Sequence, residues 1–259
     1  MIEKILVFIM GSVVGSFLNV CIYRLPKNES IIFPSSHCPH CKKNIEWYDN
    51  IPLVSFLLLG GKCRSCKARI SFRYPIVEAL TAVLLTLLFI GFGMAPKFFA
   101  YSVMTCGLIV ATFVDFEIQE IPDEISVGGI VAGILLAFAF PSVLGQASRM
   151  HGLLSSFVGL IAGGGSIFLL GVFGKIAFKK EAMGGGDVKL MAMIGSFIGL
   201  KLVILTFFIA PFLGSVPGII LWIRKGSKTI PYGPFLSTAA LVSIFFGNKI
   251  LGLLYGGLF

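Results

Sequence analysis

Apolar runs closed by charged or turn-forming residues recur along nearly the whole chain, and strand-like alternation of the kind seen in membrane barrels is not evident. Eight such runs stand out: 5–23, 76–92, 98–114, 125–140, 153–177, 188–200, 202–223 and 235–254. Each approaches the roughly 20 apolar residues that carry a helix across a hydrocarbon core, so the pattern predicts eight helical spans. The run 188–200 is the shortest. It is a half-span or re-entrant element unless Lys189 and Lys201 extend their ammonium groups to the two interfaces, and without it the chain crosses seven times.

Composition supports the pattern. Of 259 residues 56% are hydrophobic and 13% charged, against about 25% charged in a soluble domain, and the mean hydropathy is +0.95. The distribution of Lys and Arg gives an orientation. The loop after the first run holds nine, the connection around Lys175 and Lys189 four, and the segment 224–228 three, whereas the other side has only Lys4, Lys97, Arg149, Lys201 and Lys249. Sixteen against five places the basic loops in the cytoplasm. The net charge of +9 is then accounted for by topology and contact with anionic membrane lipid, and a nucleic-acid partner is not expected. The first apolar run has no convincing A-x-A cleavage site and is expected to be retained.

The loop 24–75 differs from the rest. It is polar and basic and contains Cys38-Pro-His-Cys41 and Cys63-Arg-Ser-Cys66. Two C-x-x-C turns can present four thiolates to a tetrahedral ion, so Cys38, Cys41, Cys63 and Cys66 are the expected ligands of a structural Zn2+. A loop with so short an apolar run of its own, 53–59, has few other means of holding a fold. Disulfides are the competing reading, and a reducing cytoplasm disfavours them. His37 and His40 flank the first turn and read as spectators, the alternative being that one replaces a cysteine as ligand, while Cys21 and Cys106 sit in apolar runs as small buried residues. The fold class expected is an all-α polytopic membrane protein with about eight transmembrane helices and a cytoplasmic zinc-binding loop domain.

Five of the twelve acids fall in 114–124, between the third and fourth runs, and another is Asp187 in "MGGGDVKL", 183–190. By the orientation above both segments lie at cytoplasmic helix ends, where a bundle can bring them together. Asp115 ends an apolar run, a position where a carboxylate is usually paired or functional. Asp123 after Pro122, and Asp187 before Val188, could each be a helix N-cap. Glu117, Glu120 and Glu124 could be solvated at the interface. Three glycines before Asp187 exceed what a cap requires and would let an extended substrate approach the backbone closely. Two carboxylates held close share one proton, so that one can act as general base on water while the other donates to a carbonyl oxygen. Peptide hydrolysis of this kind needs no metal. The chain contains no G-x-S-x-G or H-E-x-x-H motif that would supply another hydrolytic set.

The ordered segments "GSFLNVCIYRLP" (15–26), "CPHC", "NIPLVSFLLLGGKCRSC" (50–66), "RYPIVE" (73–78), "DFEIQEIPD" (115–123), "MGGGDVKL" and "IPYGPFL" (230–236) resemble the type IV prepilin peptidases, membrane aspartic proteases of the GxGD type. The resemblance covers almost the whole chain. It implies Asp115 and Asp187 as the catalytic pair, with Asp123, Gly184, Gly186 and Lys189 in support. Many members carry an aspartate where this chain has Glu117, which weakens any role for that position.

The same resemblance implies a second activity. Members with the long four-cysteine loop methylate the new N-terminal amine of the cleaved pilin with S-adenosylmethionine, so a bifunctional enzyme is expected. The implied organisation is a first transmembrane helix at 1–23, a methyltransferase-associated zinc domain at 24–75 and a membrane peptidase domain at 76–259. Gly61, Arg73 and Glu78 are candidates for binding the methyl donor. The implied substrates are prepilins or pseudopilins with a short basic leader, and the implied location is the bacterial inner membrane with active sites facing the cytoplasm. Two other readings share the composition: a multi-pass transporter, and a membrane scaffold with a zinc-ribbon loop. The first lacks a mid-membrane charge or an evident inverted repeat, and the second leaves Asp115 and Asp187 unexplained.

Overall fold

The computed structural model describes residues 1–178, 183–225 and 231–254, and their side chains except at 178 and 216–225. Parts of the basic connections counted above, 179–182 and 226–230, lie outside the described residues. Eight helices follow one another: α1 (Ile2–Arg24), α2 (Val54–Leu58), α3 (Arg73–Phe92), α4 (Pro96–Ile118), α5 (Asp123–Ala139), α6 (Arg149–Phe178), α7 (Gly185–Lys225) and α8 (Gly233–Leu254). Among the described residues there is no strand, only two isolated antiparallel bridges, His37 with Asn44 and Lys62 with Arg69.

Among the described residues, six helical stretches are long and apolar enough to cross a membrane. The α5 helix, at 17 residues, has the apolar composition and is slightly shorter than the rest. The α7 helix holds two of the expected runs, because its backbone breaks at Gly199, with φ 71° and ψ −180°. That left-handed φ is open to glycine and strained for other residues. The chain turns back there. Gly163 of α6 lies against both the Met191 carbonyl and the Val203 side chain, residues that an unbroken helix would hold about 18 Å apart. The runs 188–200 and 202–223 are therefore two arms of one helical hairpin. All eight expected spans correspond to helical segments.

The chain divides into two compact units, Met1–Met94 and Ala95–Phe259. In the first, α1 packs on α3 through Gly11 and Gly15, spaced as in a small-xxx-small helix contact. A Cβ on Gly11 would stand 2.7 Å from the Ala82 Cα, and one on Gly15 2.7 Å from the Glu78 Cα. Neither substitution fits without moving a backbone.

The second unit is built the same way, since apolar side chains gain little from association in lipid and close backbone approach must supply the contact. Gly159 and Gly195 meet where α6 crosses the first arm of α7, each occupying the space a Cβ on the other would need. The buried Ser156 hydroxyl donates to the Ser196 carbonyl at 2.9 Å on the same crossing. Thr206 and Ser243 join the second arm of α7 to α8 through their hydroxyls, also at 2.9 Å. Large apolar side chains such as Leu135, Ile161 and Phe173 point outward, as they do where the solvent is lipid.

Candidate active site and metal centre

Asp115 sits in the last turn of α4, which ends when Gln119 adopts a left-handed conformation and returns its N–H to the Asp115 carbonyl at 3.0 Å. The Asp115 side chain is buried, and its Oδ2 accepts a hydrogen bond from the Gly233 backbone N–H at 2.9 Å. Gly233 opens α8, whose first N–H groups have no partner within their own helix and favour an anion. A Cβ at Gly233 would stand 2.8 Å from that same oxygen, so only glycine allows the contact as it is.

Asp187 stands at a second helix start. The helix begins at Gly185, three residues earlier than the run 188–200 suggests, so Asp187 is its third residue and not its N-cap. Its Oδ2 accepts the Gly184 N–H at 3.3 Å while its own N–H reaches the Gly184 carbonyl at 3.2 Å. This reciprocal pair is the carboxylate half of a capping box. The third residue after Asp115's helix, Ile121, fills the space between the two helix starts. A Cβ on Gly186 would meet Ile121 Cβ at 3.2 Å, and one on Gly233 would meet Ile121 Cδ1 at 3.4 Å. Asp115 lies close enough to Asp187 for its charge to be felt there.

The glycines before Asp187 thus divide by use. Gly186 makes room for Ile121, while Gly184 and Gly185 are exposed, and nothing stands within 4 Å of a Cβ built at Gly185. Asp123 is the first residue of α5, after Pro122, and does not cap it. Its carboxylate instead accepts two hydrogen bonds from the Lys189 Nζ, at 2.7 and 2.8 Å. That pair ties the start of α5 to α7 two residues beyond Asp187. Glu117 and Glu120 are exposed.

Tyr232 and Gly233 belong to this centre although no role was read for them in the sequence. Burial, and after it the nearby Asp187 carboxylate, pushes the Tyr232 phenol up to about 12. It is a neutral hydroxyl beside Asp187, able to donate or accept a hydrogen bond. Their only sequence signal is the segment 230–236, which carries the resemblance without indicating which residue acts.

The metal centre lies in the first unit. The Sγ atoms of Cys38, Cys41, Cys63 and Cys66 all fall within 4.8 Å of one another. Cys38 and Cys66 are 3.8 Å apart, close to the roughly 3.8 Å edge of a tetrahedron with 2.3 Å zinc–sulfur bonds. No disulfide joins Cys38, Cys41, Cys63 and Cys66, which gather as four thiols instead. The two turns repeat one another. Cys38 N–H bonds the Lys43 carbonyl and Lys42 N–H the Cys38 carbonyl, just as Cys63 bonds Ala68 and Lys67 bonds Cys63. Lys42 and Lys67 share a left-handed φ of 60°. The backbone N–H groups of Cys66 and Ser65 aim at the Cys63 sulfur and lower its thiol below the ordinary value. His37 is half-buried and its Nδ1 faces the Ser35 carbonyl. Arg64 forms a two-pronged pair with Asp49, both bonds 2.7 Å, which fixes the second turn to the 3₁₀ turn Trp47–Asn50.

Two of the three methyl-donor candidates, Glu78 and Gly61, touch the α2 segment. Glu78, buried on α3, accepts the Leu53 N–H at 2.8 Å through Oε2. Gly61, at φ +67°, leaves the face of Phe56 uncovered by any Cβ, and the Arg73 guanidinium lies 5.4 Å from the Tyr74 ring. One unassigned residue joins them on the α1–α3 interface. Asn19 donates to the Gly15 and Tyr74 carbonyls, and its Oδ1 is buried without a partner. An orphaned acceptor on the helix interface that also carries the buried Glu78 carboxylate fits the amino group of a methyl donor.

Residues 9–92 match the family described as the bacterial peptidase A24 N-terminal domain, and residues 102–219 match the type IV leader peptidase family. The chain is 34% identical over 259 residues to the type 4 prepilin-like proteins leader peptide-processing enzyme of Escherichia coli, covering 93% of each. It is 33% identical to a prepilin leader peptidase/N-methyltransferase of Pseudomonas aeruginosa, over 93% of this chain and 90% of that one. A protein of the same description from Neisseria gonorrhoeae is 34% identical, over 93% and 89%. No solved structure matches the chain.

Proposed function

The chain belongs to the type IV leader peptidase family, and from that premise we propose that it is a bifunctional membrane enzyme of bacteria. It cleaves the leader of a prepilin or pseudopilin and then methylates the exposed N-terminal amine. The observation that carries the first activity is the Asp115 carboxylate on the Gly233 N–H with Asp187 beside it.

Asp115 and Asp187 share one proton. The ionised member removes a proton from water, whose oxygen attacks the scissile carbonyl carbon. The protonated member donates to the carbonyl oxygen, and collapse of the tetrahedral species releases the amine after it has been protonated. The Gly233 N–H holds Asp115 in place during both transfers. Tyr232, neutral and next to Asp187, offers a hydroxyl to orient that carboxyl or the substrate carbonyl. The Lys189–Asp123 pair keeps α5 and α7 together around the pair. Exposed Gly184 and Gly185 leave a strip of backbone open to an extended leader.

The four cysteines hold a structural Zn2+ that keeps residues 24–75 folded, and this part of the chain serves methylation. S-adenosylmethionine, when bound, supplies an activated methyl group to the neutral amine. Glu78 and the Asn19 Oδ1 would accept hydrogen bonds from its amino group, with Gly61 and Arg73 shaping the surrounding turn. The zinc loop and the aspartates face the cytoplasm, and the pilin helix stays in the lipid of the inner membrane. A transporter or a scaffold would not require Gly233 at Asp115.

Mass spectrometry of a prepilin incubated with purified full-length enzyme and S-adenosylmethionine tests both activities. The expected product is a leader-free pilin carrying one added methyl. Asp187→Asn should leave the prepilin uncut, and Cys63→Ser should give cut, unmethylated pilin. Unmethylated product from the unsubstituted enzyme would reduce the function to cleavage, and uncut prepilin would overturn the reading.

A further inference from the structure

The short α2 helix turns its apolar side outward. Leu57 is 77% exposed and Leu58 82%, in a loop otherwise rich in charge. Two contacts set the level of α2 along α3. At its start the Leu53 N–H is bonded to Glu78, five residues inside α3, and in its middle the Phe56 ring packs on Phe72, the residue before α3, with centroids 5.5 Å apart. The two bracket the first turn and a half of α3, about 7.5 Å along its axis.

That turn and a half is the end of a membrane span. The α3 helix has 20 residues, about 30 Å of rise and just the thickness of a hydrocarbon core, so its first turn lies at the edge of that core. The outward stripe of α3, Ile76, Leu80, Val83 and Leu87, is exposed and apolar along its length. Phe72, itself 72% exposed, continues the stripe onto Phe56 and so onto α2. The apolar side of α2 is thus an extension of a surface that faces lipid. The charge around it agrees: residues 24–75 hold nine Lys and Arg and three acids, of which Asp49 is already paired.

We propose that α2 is an interfacial anchor: Leu57 and Leu58 insert at the boundary between headgroups and acyl chains of the leaflet on the loop's side, and the basic loop lies on that leaflet. An apolar patch with cationic flanks is the usual chemistry of a segment that rests in this layer. Glu78 and Gly61 then have a positioning role, one holding the start of α2 and the other lying against the Phe56 ring.

Tryptophan quenching in full-length protein tests this. Trp47→Phe and Trp222→Phe provide a dark background, into which Leu58→Trp, Leu57→Trp or Lys67→Trp is introduced. Each variant is reconstituted into vesicles that contain anionic lipid and lipids brominated near the top of the acyl chain, and bound zinc confirms that the loop is folded. The expected result is that Leu58→Trp and Leu57→Trp emit to the blue and lose most of their emission to bromine, while Lys67→Trp does not. Red, unquenched emission at 57 and 58 would place α2 in water and overturn the proposal. Blue, unquenched emission would mean that protein covers the patch, and would overturn it equally.

Discussion

The cysteine cluster and the aspartate centre are assembled on opposite principles. Every cysteine is held by a turn that closes on itself, Cys38 onto Lys43 and Cys63 onto Ala68, and two copies of that turn face each other. The aspartates are held by ends of helices remote in sequence: Asp115 takes its hydrogen bond from Gly233, 118 positions away, and Ile121 packs against Gly186, where a Cβ would stand a tight 3.2 Å from its own. A self-closed turn tolerates change elsewhere and fails when its ligands or metal are lost. A centre made of helix ends depends on the bundle, and a displacement in α4, α7 or α8 is felt at the carboxylates.

The largest effect should come from the carboxylates. Asp115→Asn and Asp187→Asn are each expected to slow prepilin cleavage by about 10²-fold or more, the usual size of a lost general acid or base. Pilin supplied without its leader should still be methylated by both variants, which separates chemistry from folding. Next is the metal. Cys63→Ser, or a strong chelator, should remove zinc from the protein and abolish methylation, since structural zinc contributes on the order of 10 kcal/mol to such folds. Cleavage should persist in the same sample, and its loss would mean that the two centres are not independent.

Gly233→Ala tests the helix-end principle directly. Its Cβ would stand 2.8 Å from Asp115 Oδ2, so the carboxylate must shift, and a misplacement of about 1 Å can cost up to 10²-fold in rate. The fall should be in kcat, with zinc content unchanged. The smallest effect belongs to Lys189→Ala. The Lys189–Asp123 pair is well formed but exposed on both sides, where such pairs contribute about 1 kcal/mol or less. Thermal unfolding should change little, and a double substitution with Asp123→Ala should show whether the pair also matters to cleavage.

The same contrast governs how much could be read from the chain beforehand. Features whose partners are near in sequence were legible: the eight apolar runs, the four cysteines, and the acids at helix ends. The boundary between 200 and 202 falls within two residues of the Gly199 break, because a short polar interruption marks the turn. Features that depend on remote partners were not legible. Tyr232 and Gly233 carry no local sign of approaching Asp187 and Asp115. The start of α7 at Gly185 was missed because three glycines read as a loop, although the helix tolerates them once Asp187 caps its N–H groups. The repetition of the two cysteine turns shows in the shared spacing of Cys38, Cys41, Lys42 and Ile45 with Cys63, Cys66, Lys67 and Ile70, while the left-handed backbone common to Lys42 and Lys67 shows only in the structure. The α2 helix has only five residues and is held by Glu78 and Phe72, both outside its own segment.

The Gly199 turn has a further consequence for where water can go. Residues 185–198 rise only about 21 Å, against roughly 30 Å of hydrocarbon. A hairpin arm of that reach cannot bring both its ends level with two undisturbed membrane surfaces. Either the bilayer dimples around the Asp187 end or the turn stops short of the opposite face. In the first case the hydrolytic centre draws the aqueous phase down to itself, and the thickness of the surrounding lipid becomes a variable that sets the rate of the enzyme.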